Sequence, residues 1–339
     1  SIDIKGVNNN GSITDYFAAM ANGDTYLTMG SFYEYPAYWT YLIDPTNPEG
    51  DQFESSYSAY GEEQTKIIER SGNVGEYVFS MGMNFNHNFY LGASFGIQDV
   101  NFEQNIFYSE TDINDNIDNF NSFNYTDNLK TNGTGYNFKI GAIFRPIEWM
   151  RVSAAVHTPT FYNLSDEYET EFVSNFETDS MSVTHKSPLG VYDYRLLSPL
   201  RALGGVSFMI MDQALISFDY EFANYGISKL SADDYSFDKE NDNIAESYTS
   251  SHTIKAGAEY RLGFLAFRGG AAYSTSPFES DEINRDADFM QYSGGFGVRL
   301  DSFFFYMAYI YQTSKEKYFM YEGYNNSSAE TKLTNSRHT

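Results

Sequence analysis

Residues 251–276, SHTIKAGAEYRLGFLAFRGGAAYSTS, decide how the rest of the chain is interpreted. They form two alternating runs joined by a tight turn at Leu262 and Gly263. In each run one face is apolar, while the other carries charges, hydroxyls and glycines, and a period of two is typical of β-strands. The apolar faces consist of Ile254, Ala256, Ala258 and Tyr260 in the first run and Leu265, Phe267, Gly269, Ala271 and Tyr273 in the second. The segment is therefore a predicted β-hairpin.

Similar hairpins recur along the chain after residue 63 and give ten predicted strands. Their tight turns lie at residues 86–88, 146–149, 211–213, 262–263 and 301–302. Polar segments at residues 112–132, 162–193 and 226–246 separate several hairpins and are predicted loops. Short turns that alternate with long loops are typical of outer-membrane barrels, whereas a soluble Greek key would mix loop lengths at both ends. The predicted fold class is all-β, a transmembrane antiparallel β-barrel with long extracellular loops.

The composition fits this fold and excludes several classes of protein. The 339 residues contain 30 Tyr and 29 Phe, no Cys and no apolar run long enough for a transmembrane helix. Many aromatic residues are typical of the girdles of membrane barrels, and also of carbohydrate-binding soluble β proteins. The absence of Cys excludes disulfides and thiolate metal sites. A net charge of -25 argues against nucleic acid as a partner.

Residues 1–62 differ from the hairpins and are predicted to be a partly helical extracellular loop segment, with the barrel strands in residues 63–339. Ser12 and Asp15 resemble a capping box before a helix over residues 13–21, with Gly23 at its C′ position. Pro36 is expected to be the first residue of a second helix. The apolar side chains of this segment either pack on one another or line a ligand groove. They are Phe17, Met20, Tyr33, Tyr38, Trp39 and Leu42.

Three hairpins carry motifs that resemble a known family. The paired segments are residues 135–146 (GYNFKIGAIFRP) with 151–159 (RVSAAVHTP), 198–207 (SPLRALGGVS) with 214–225, and 255–261 (KAGAEYR) with 267–277 (FRGGAAYSTSP). Their order and spacing resemble the FadL/TodX family of outer-membrane transporters of long-chain fatty acids and other hydrophobic compounds. Asn137 departs from the family motif, which has a glycine at that position.

The resemblance implies a 14-stranded barrel in the outer membrane of a Gram-negative bacterium. It also implies an N-terminal hatch that plugs the barrel and a hydrophobic groove between the extracellular loops. No hatch motif precedes Ser1, and no final strand ending in an aromatic residue follows His338. We therefore expect a mature or truncated fragment of such a barrel, with about three strands missing before Ser1.

The polar faces of the hairpins predict a charged barrel lumen. A charge on the lipid-facing side costs about 2–4 kcal/mol at the bilayer midplane, so the apolar faces are assigned to lipid. The opposite faces carry Lys139, Arg145, Arg151, His157, Arg201, Asp219, Glu221, Lys255, Glu259, Arg261, Arg268 and Arg299. Lys139, Arg201 and Lys255 lie farthest from the tight turns and are the candidate ligands for a fatty-acid carboxylate. Alternatively these charges form lumen salt bridges, and Lys255 is expected to pair with Asp219 or Glu221.

Other chemistry has weak support in the sequence. The five histidines lack the spacing of a zinc site. Residues 238–246 faintly resemble a calcium loop without its required glycine. No phosphate-binding loop and no Ser-His-acid set can be recognised. We therefore predict no metal, no cofactor and no enzymatic activity.

Three functions compete at this point. The first is passive uptake of a hydrophobic small molecule, such as a long-chain fatty acid. The second is a non-transporting barrel that serves as a protein-interaction partner, for example a secretion-system subunit. The third is a barrel enzyme that acts on lipids. The expected partners are outer-membrane lipid, lipopolysaccharide and a hydrophobic ligand, and the expected state is a monomer.

Overall fold

The computed structural model describes residues 1–57, 59–300, 303–321 and 330–338. The first part of the chain contains β1 (Ile2–Asn8), α1 (Ile13–Ala21), α2 (Glu34–Trp39), β2 (Ile43–Pro45) and β3 (Phe53–Ser55). The middle contains β4 (Glu62–Phe85), β5 (Phe89–Thr111), β6 (Ser122–Ile147), β7 (Met150–His157), β8 (Phe161–Asn175), β9 (Ser182–Lys186) and β10 (Gly190–Leu197). The last part contains β11 (Arg201–Ile210), β12 (Ala214–Asn224), β13 (Lys229–Ser231), α3 (Asp238–Ser247), β14 (Ser250–Leu262), β15 (Leu265–Ser274), β16 (Phe289–Arg299), β17 (Phe304–Phe319) and β18 (Glu330–His338).

The strands form one antiparallel sheet in which neighbours along the chain are mostly neighbours in space. Its order is β1-β4-β5-β6-β7-β11-β12-β14-β15-β16-β17-β18, with β8, β9, β10 and β13 attached beside this path. The ten strands of the predicted hairpins pair as expected. Asn86, His87, Met211, Asp212 and Gly263 adopt positive φ in the tight turns. The predicted turn at Asp301 and Ser302 lies outside the described residues.

Two of the predicted loops are largely strand, and this part of the sequence interpretation was wrong. β6 begins at Ser122 inside the segment 112–132, and β8, β9 and β10 occupy most of residues 162–193. At about 3.3 Å per residue, the 26 residues of β6 extend about 85 Å, far beyond an apolar band about 25 Å tall. Water can solvate both faces of the sheet above that band, so neither face of these strand segments has to be apolar. Their sequences therefore lack the alternation of apolar and polar residues by which strands were predicted.

The two faces of the hairpins have opposite chemistry, as the alternation predicts. Large apolar side chains lie exposed along the outward face of many strands. They include Phe79, Met81, Phe138, Ile140, Phe218, Ile254, Phe267, Tyr292 and Phe305. So much contiguous apolar surface marks an interface with another apolar phase, and a membrane barrel places such rows against lipid. The fold class is the all-β, antiparallel membrane-barrel type.

The sheet curls so that β1 and β4 at one end of its order approach β17 and the residues after it at the loop end. Lys66 Nζ on β4 donates to the carbonyl oxygen of Phe319 on β17 at 3.3 Å. Asn8 Nδ2 donates to the hydroxyl of Tyr321 at 3.0 Å. These residues are distant along the order of the sheet, so the strands wrap around a common interior.

Residues 1–55 fold against the extended upper parts of β4, β5, β6 and β8. α1 has the expected capping box: the Ser12 side chain accepts from the backbone amide of Asp15, and the Asp15 side chain accepts from the backbone amide of Ser12. α2 begins at Glu34 rather than at Pro36. Proline fits this first turn because the first amides of a helix have no intrahelical partner. In the part of the chain that the structure describes, no helix has both the length and the apolar character needed to cross a membrane.

The hydrophobic core lies at this loop end. Its largest buried members are Phe17, Leu42, Tyr108, Phe120, Phe123, Phe172 and Met320. They come from α1, the segment after α2, β5, the loop before β6, β6, β8 and the residue that follows β17. Burial of these side chains fastens residues 1–55 to the sheet, since each large apolar side chain contributes about 1.5–3 kcal/mol.

Candidate functional site

The inner wall of the sheet brings together side chains from many strands. Asp219 on β12 lies opposite Lys255 on β14, which lies opposite Ala272 on β15. Gln291 on β16 continues the same row. Most neighbouring inner positions are Gly, Ala or Ser. Such small side chains leave open space along the wall.

Two cavities occupy this space. One of about 570 Å³ lies against β4, β5, β6, β7, β11, β12 and β14, and one of about 580 Å³ lies against β12 and β14–β17. Both are lined by Asp219 and Lys255, which stand where the cavities meet. Each volume falls within the range of small-molecule sites, about 300–1,000 Å³.

Glu221 joins two of the predicted ligand cations. Its carboxylate lies 3.4 Å from Arg201 Nη1 and 3.0 Å from Lys255 Nζ. The Arg201 and Lys255 side chains remain 48% and 46% exposed, whereas that of Glu221 is only 18% exposed. The two cations are therefore more accessible than the carboxylate that they share.

Asp219 is the other expected partner of Lys255, but its carboxylate makes no hydrogen bond or ion pair with any residue that the structure describes. Its carboxylate occupies space above Gly205, where a Cβ would lie 2.3 Å from Oδ1. Gly205 is therefore needed for the position of Asp219. The unpaired carboxylate and the nearby Lys255 ammonium give this point of the wall both signs of charge.

Lys139, the third predicted ligand cation, lies in a separate cluster. Its Nζ is 2.8 Å from Oε1 of Glu76, a residue on β4 two strands away. Asn137 and Gln98 donate to the same Glu76 oxygen at 3.0 and 3.3 Å. Sequence reasoning missed Glu76, although the alternation of β4 continues one residue before Tyr77 and places Glu76 on the inner face.

A third charged cluster lies near the tight turns. Glu259 accepts from Arg261 Nε at 2.5 Å and from Arg268 Nε at 2.7 Å. The Arg268 guanidinium also lies 4.7 Å from the ring centroid of Tyr306, within the range of a cation–π contact. These arginines stiffen one end of the wall and are remote from Glu221.

The apolar residues proposed for a loop groove do not form a single surface. Phe17 and Leu42 are buried in the core, and Tyr38 and Trp39 pack against each other at the surface. Met20 and Tyr33 line a separate cavity of about 460 Å³ below α1 and α2. The six residues thus divide between a self-packed core, an aromatic surface and a cavity.

A buried acidic pair at the loop end was not visible in the sequence. Glu110 is buried and accepts from the Ile13 amide, Gln64 and Tyr108 at 3.0, 2.8 and 2.7 Å. Burial raises the pKa of Glu110 despite these donors. Burial also raises the pKa of Glu62 to about 7, and the nearby Glu110 carboxylate adds to the shift.

Metal-binding chemistry has no site among the described residues. No three His, Asp or Glu side chains there are grouped so that they could hold a metal ion. The faint calcium-loop resemblance at residues 238–246 is wrong, because Asp238–Ser247 is a helix and not a loop. Its carboxylates therefore do not converge as those of a calcium loop do.

Comparisons with known proteins give loose structural likenesses only. No known family profile and no curated protein sequence matches the chain. A CymD monoaromatic hydrocarbon channel is similar over 82% of this chain and 81% of its own, at 12% identity and a TM-score of 0.48. A Pseudomonas aeruginosa FadL homologue is similar over 87% and 74%, at 14% identity and 0.49. The Pseudomonas putida toluene transporter TodX is similar over 77% and 78%, at 9% identity and 0.35.

Likenesses at these scores do not decide what this chain binds. The fold therefore rests on the antiparallel sheet, its apolar outward face and its curled shape.

Proposed function

We propose that the chain forms an outer-membrane channel for passive uptake of hydrophobic small molecules, with long-chain fatty acids as the preferred class. The observation that carries the proposal is the pair of adjoining cavities on the inner wall. Together they extend across most of the curled sheet and are lined mainly by small and apolar residues. A hydrophobic molecule can occupy such a surface without displacing a charged side chain.

The meeting point of the cavities supports a carboxylate head group. Lys255 lines both cavities, and Arg201, which lines neither, shares the Glu221 carboxylate with it. Both cations are about half exposed, whereas Glu221 is largely covered. A ligand carboxylate could therefore contact both cations from the open side and add charge-assisted hydrogen bonds. The unpaired Asp219 carboxylate repels a ligand carboxylate at this point. A fatty acid should therefore bind less tightly than it would to Arg201 and Lys255 without Asp219 nearby.

Narrowing the interior tests the channel. Ala272→Trp places a large side chain on the inner wall beside Lys255. Ala202→Trp places the same side chain on the outward face beside the exposed Val156, at a position that lines neither cavity. We expect Ala272→Trp to reduce uptake of a labelled long-chain fatty acid by cells at least severalfold, with uptake by Ala202→Trp close to that of the parent. Heat-modifiable gel mobility confirms assembly of both variants.

The outcome separates the competing functions. Two results would contradict the channel. One is unchanged uptake by cells with assembled Ala272→Trp, and the other is uptake by cells with the parent protein that is no greater than uptake by cells without it. The second result would instead favour a barrel that acts as a protein-interaction partner. Uptake of uncharged hydrocarbons but not of fatty acids would retain the channel and remove the carboxylate preference.

A further inference from the structure

A second kind of cavity lies at the loop end, apart from the inner wall. Its volume is about 460 Å³, and it shares no lining residue with the two cavities of the wall. It is bounded by α1, the segment that leads into α2, and the upper parts of β5, β6 and β8. The folding of residues 1–55 onto the sheet therefore creates it.

Aromatic and apolar side chains form part of its wall. The rings of Phe32 and Tyr168 lie 4.6 Å apart between centroids, and Tyr33 stands beside them. Met20 and Leu129 complete the apolar surface. Gly190 lies directly behind these two tilted rings, since a Cβ there would lie 2.4 Å from Tyr168 and 2.9 Å from Phe32. The rings are thereby held in place.

Four carboxylates line the same cavity, and one of them is neutralised by an ion pair. Glu169 lies 2.9 Å from Lys186 Nζ. Asp127 accepts from the Tyr33 hydroxyl at 2.6 Å, and Asp166 accepts from Thr131 at 2.6 Å. The Glu34 carboxylate makes no hydrogen bond or ion pair with residues in the described part of the chain. No salt bridge joins Asp127, Asp166 or Glu34 to a cation among the residues that the structure describes.

The charges and the rings point to one chemistry. Aromatic faces attract cations through the ring quadrupole, most strongly where water is partly excluded. Carboxylates add a direct attraction. Burial raises the pKa of Asp127 and so favours its neutral form, which leaves Glu34 and Asp166 as the more exposed carboxylates of the cavity. A fatty acid or another anion is repelled by the same groups. A bare metal ion lacks a ligand group here, because no cluster of metal-binding side chains occurs among the described residues.

We propose that the cavity between α1, α2 and the upper strands β5, β6 and β8 binds an organic cation, an alkylammonium group attached to a small apolar body. The ammonium lies between the aromatic rings and the carboxylates of Glu34, Asp127 and Asp166. The apolar body packs on Met20 and Leu129. The site is independent of the proposed channel, since it uses none of the residues of the inner wall.

Choline and its uncharged carbon isostere, dimethylbutanol, test the proposal directly. Both are titrated into the detergent-solubilised full chain, and binding is measured by saturation-transfer NMR. We expect choline to bind and dimethylbutanol to bind at least about tenfold more weakly, which corresponds to the cation's contact with rings and carboxylates. Equal binding of the two compounds, or no choline binding, would overturn the proposal.

Variants locate the site. Glu34→Gln removes a carboxylate that has no partner, so its folding should be unchanged, and it should weaken choline binding about threefold to tenfold. Phe32→Leu removes an aromatic face and should act in the same direction. Asp24→Asn makes the same kind of charge change at an exposed position outside the cavity and should leave binding unchanged. Equal effects of Asp24→Asn and Glu34→Gln would show general charge attraction only and refute the site. Displacement of choline by millimolar calcium but not by magnesium would also refute it, since a specific inorganic ion would then occupy the site.

Discussion

At the scale of single residues, the function of the inner wall depends on how charges are shared. The Glu221 carboxylate forms ion pairs with both Arg201 and Lys255, at 3.4 Å and 3.0 Å. Removing the shared carboxylate leaves Arg201 without its ion-pair partner and leaves Lys255 with only the nearby Asp219. Removing one cation leaves the other pair intact.

Replacement of Glu221 should therefore cost more than replacement of Lys255. We expect Glu221→Gln to destabilise the assembled chain by about 1–3 kcal/mol, the usual range for lost bonds to charged groups. Lys255→Ala should cost less than about 1 kcal/mol, because its side chain is half exposed and Arg201 still neutralises Glu221. The temperature of heat modification on gels measures both. A larger loss in Lys255→Ala would show that Asp219 and not Glu221 sets the balance of charge.

The buried Glu62 should make stability depend on pH. Burial raises its pKa from 4.5 to about 7, so the folded chain holds this proton more tightly than the unfolded chain. The contribution of the protonated Glu62 to the free energy of unfolding is greatest below pH 4.5 and is lost as the pH rises to about 7. Glu62→Gln carries no such charge and should gain stability relative to the parent over that interval. Melting curves at several pH values compare the two, and a constant difference between them from pH 4.5 to 7 would contradict the shift.

The sequence predicted the inner wall better than the loop end at this scale. Strand alternation alone placed Lys255 and Glu221 on one face of adjacent strands, because period and register suffice there. Glu110 differs, since it becomes buried only when Ser12 and Ile13 fold across it from about 100 residues away. No local pattern around Glu110 contains that information.

At the scale of elements, the length of the strands was hidden by their polarity. The register of β4 with β5 runs without interruption from Phe85 and Phe89 up to Glu63 and Thr111. Only its lower third alternates between apolar and polar residues. The upper part pairs through its backbone and receives its support from β1 and from the packed residues of α1, which the alternation of β4 cannot reveal.

The hairpin of β14 and β15 provides a direct test of which face meets lipid. Phe267 lies outward and half exposed, whereas Arg268 points inward to Glu259 and Tyr306. Phe267→Arg should cost about 2–4 kcal/mol in the membrane and block assembly. Arg268→Ala should assemble, since Arg261 still pairs with Glu259. Heat-modifiable mobility reports both, and similar behaviour of the two neighbours would invalidate the assignment of faces.

At the scale of the whole molecule, residues 1–62 connect the beginning and the end of the sheet. β1 pairs with the top of β4, while Asn8 binds the hydroxyl of Tyr321 beyond β17. The core of this part also contains Met320 from the same end of the chain. Because the tight turns lie at the opposite end of the strands, this segment and the turns should be on different sides of the membrane.

Protease accessibility in whole cells decides the orientation. Leu27 lies in a loop of the N-terminal segment and is 77% exposed, and His87 lies in the tight turn between β4 and β5. A short protease recognition sequence is inserted at either position, and assembly is checked by heat-modifiable mobility. If residues 1–62 are extracellular, protease added to intact cells should cut at the Leu27 position and spare the His87 position. Permeabilising the outer membrane should then expose the His87 insertion, because short turns of outer-membrane barrels face the periplasm. Cleavage at His87 in intact cells, with Leu27 protected until permeabilisation, would mean that the chain crosses the membrane in the opposite direction.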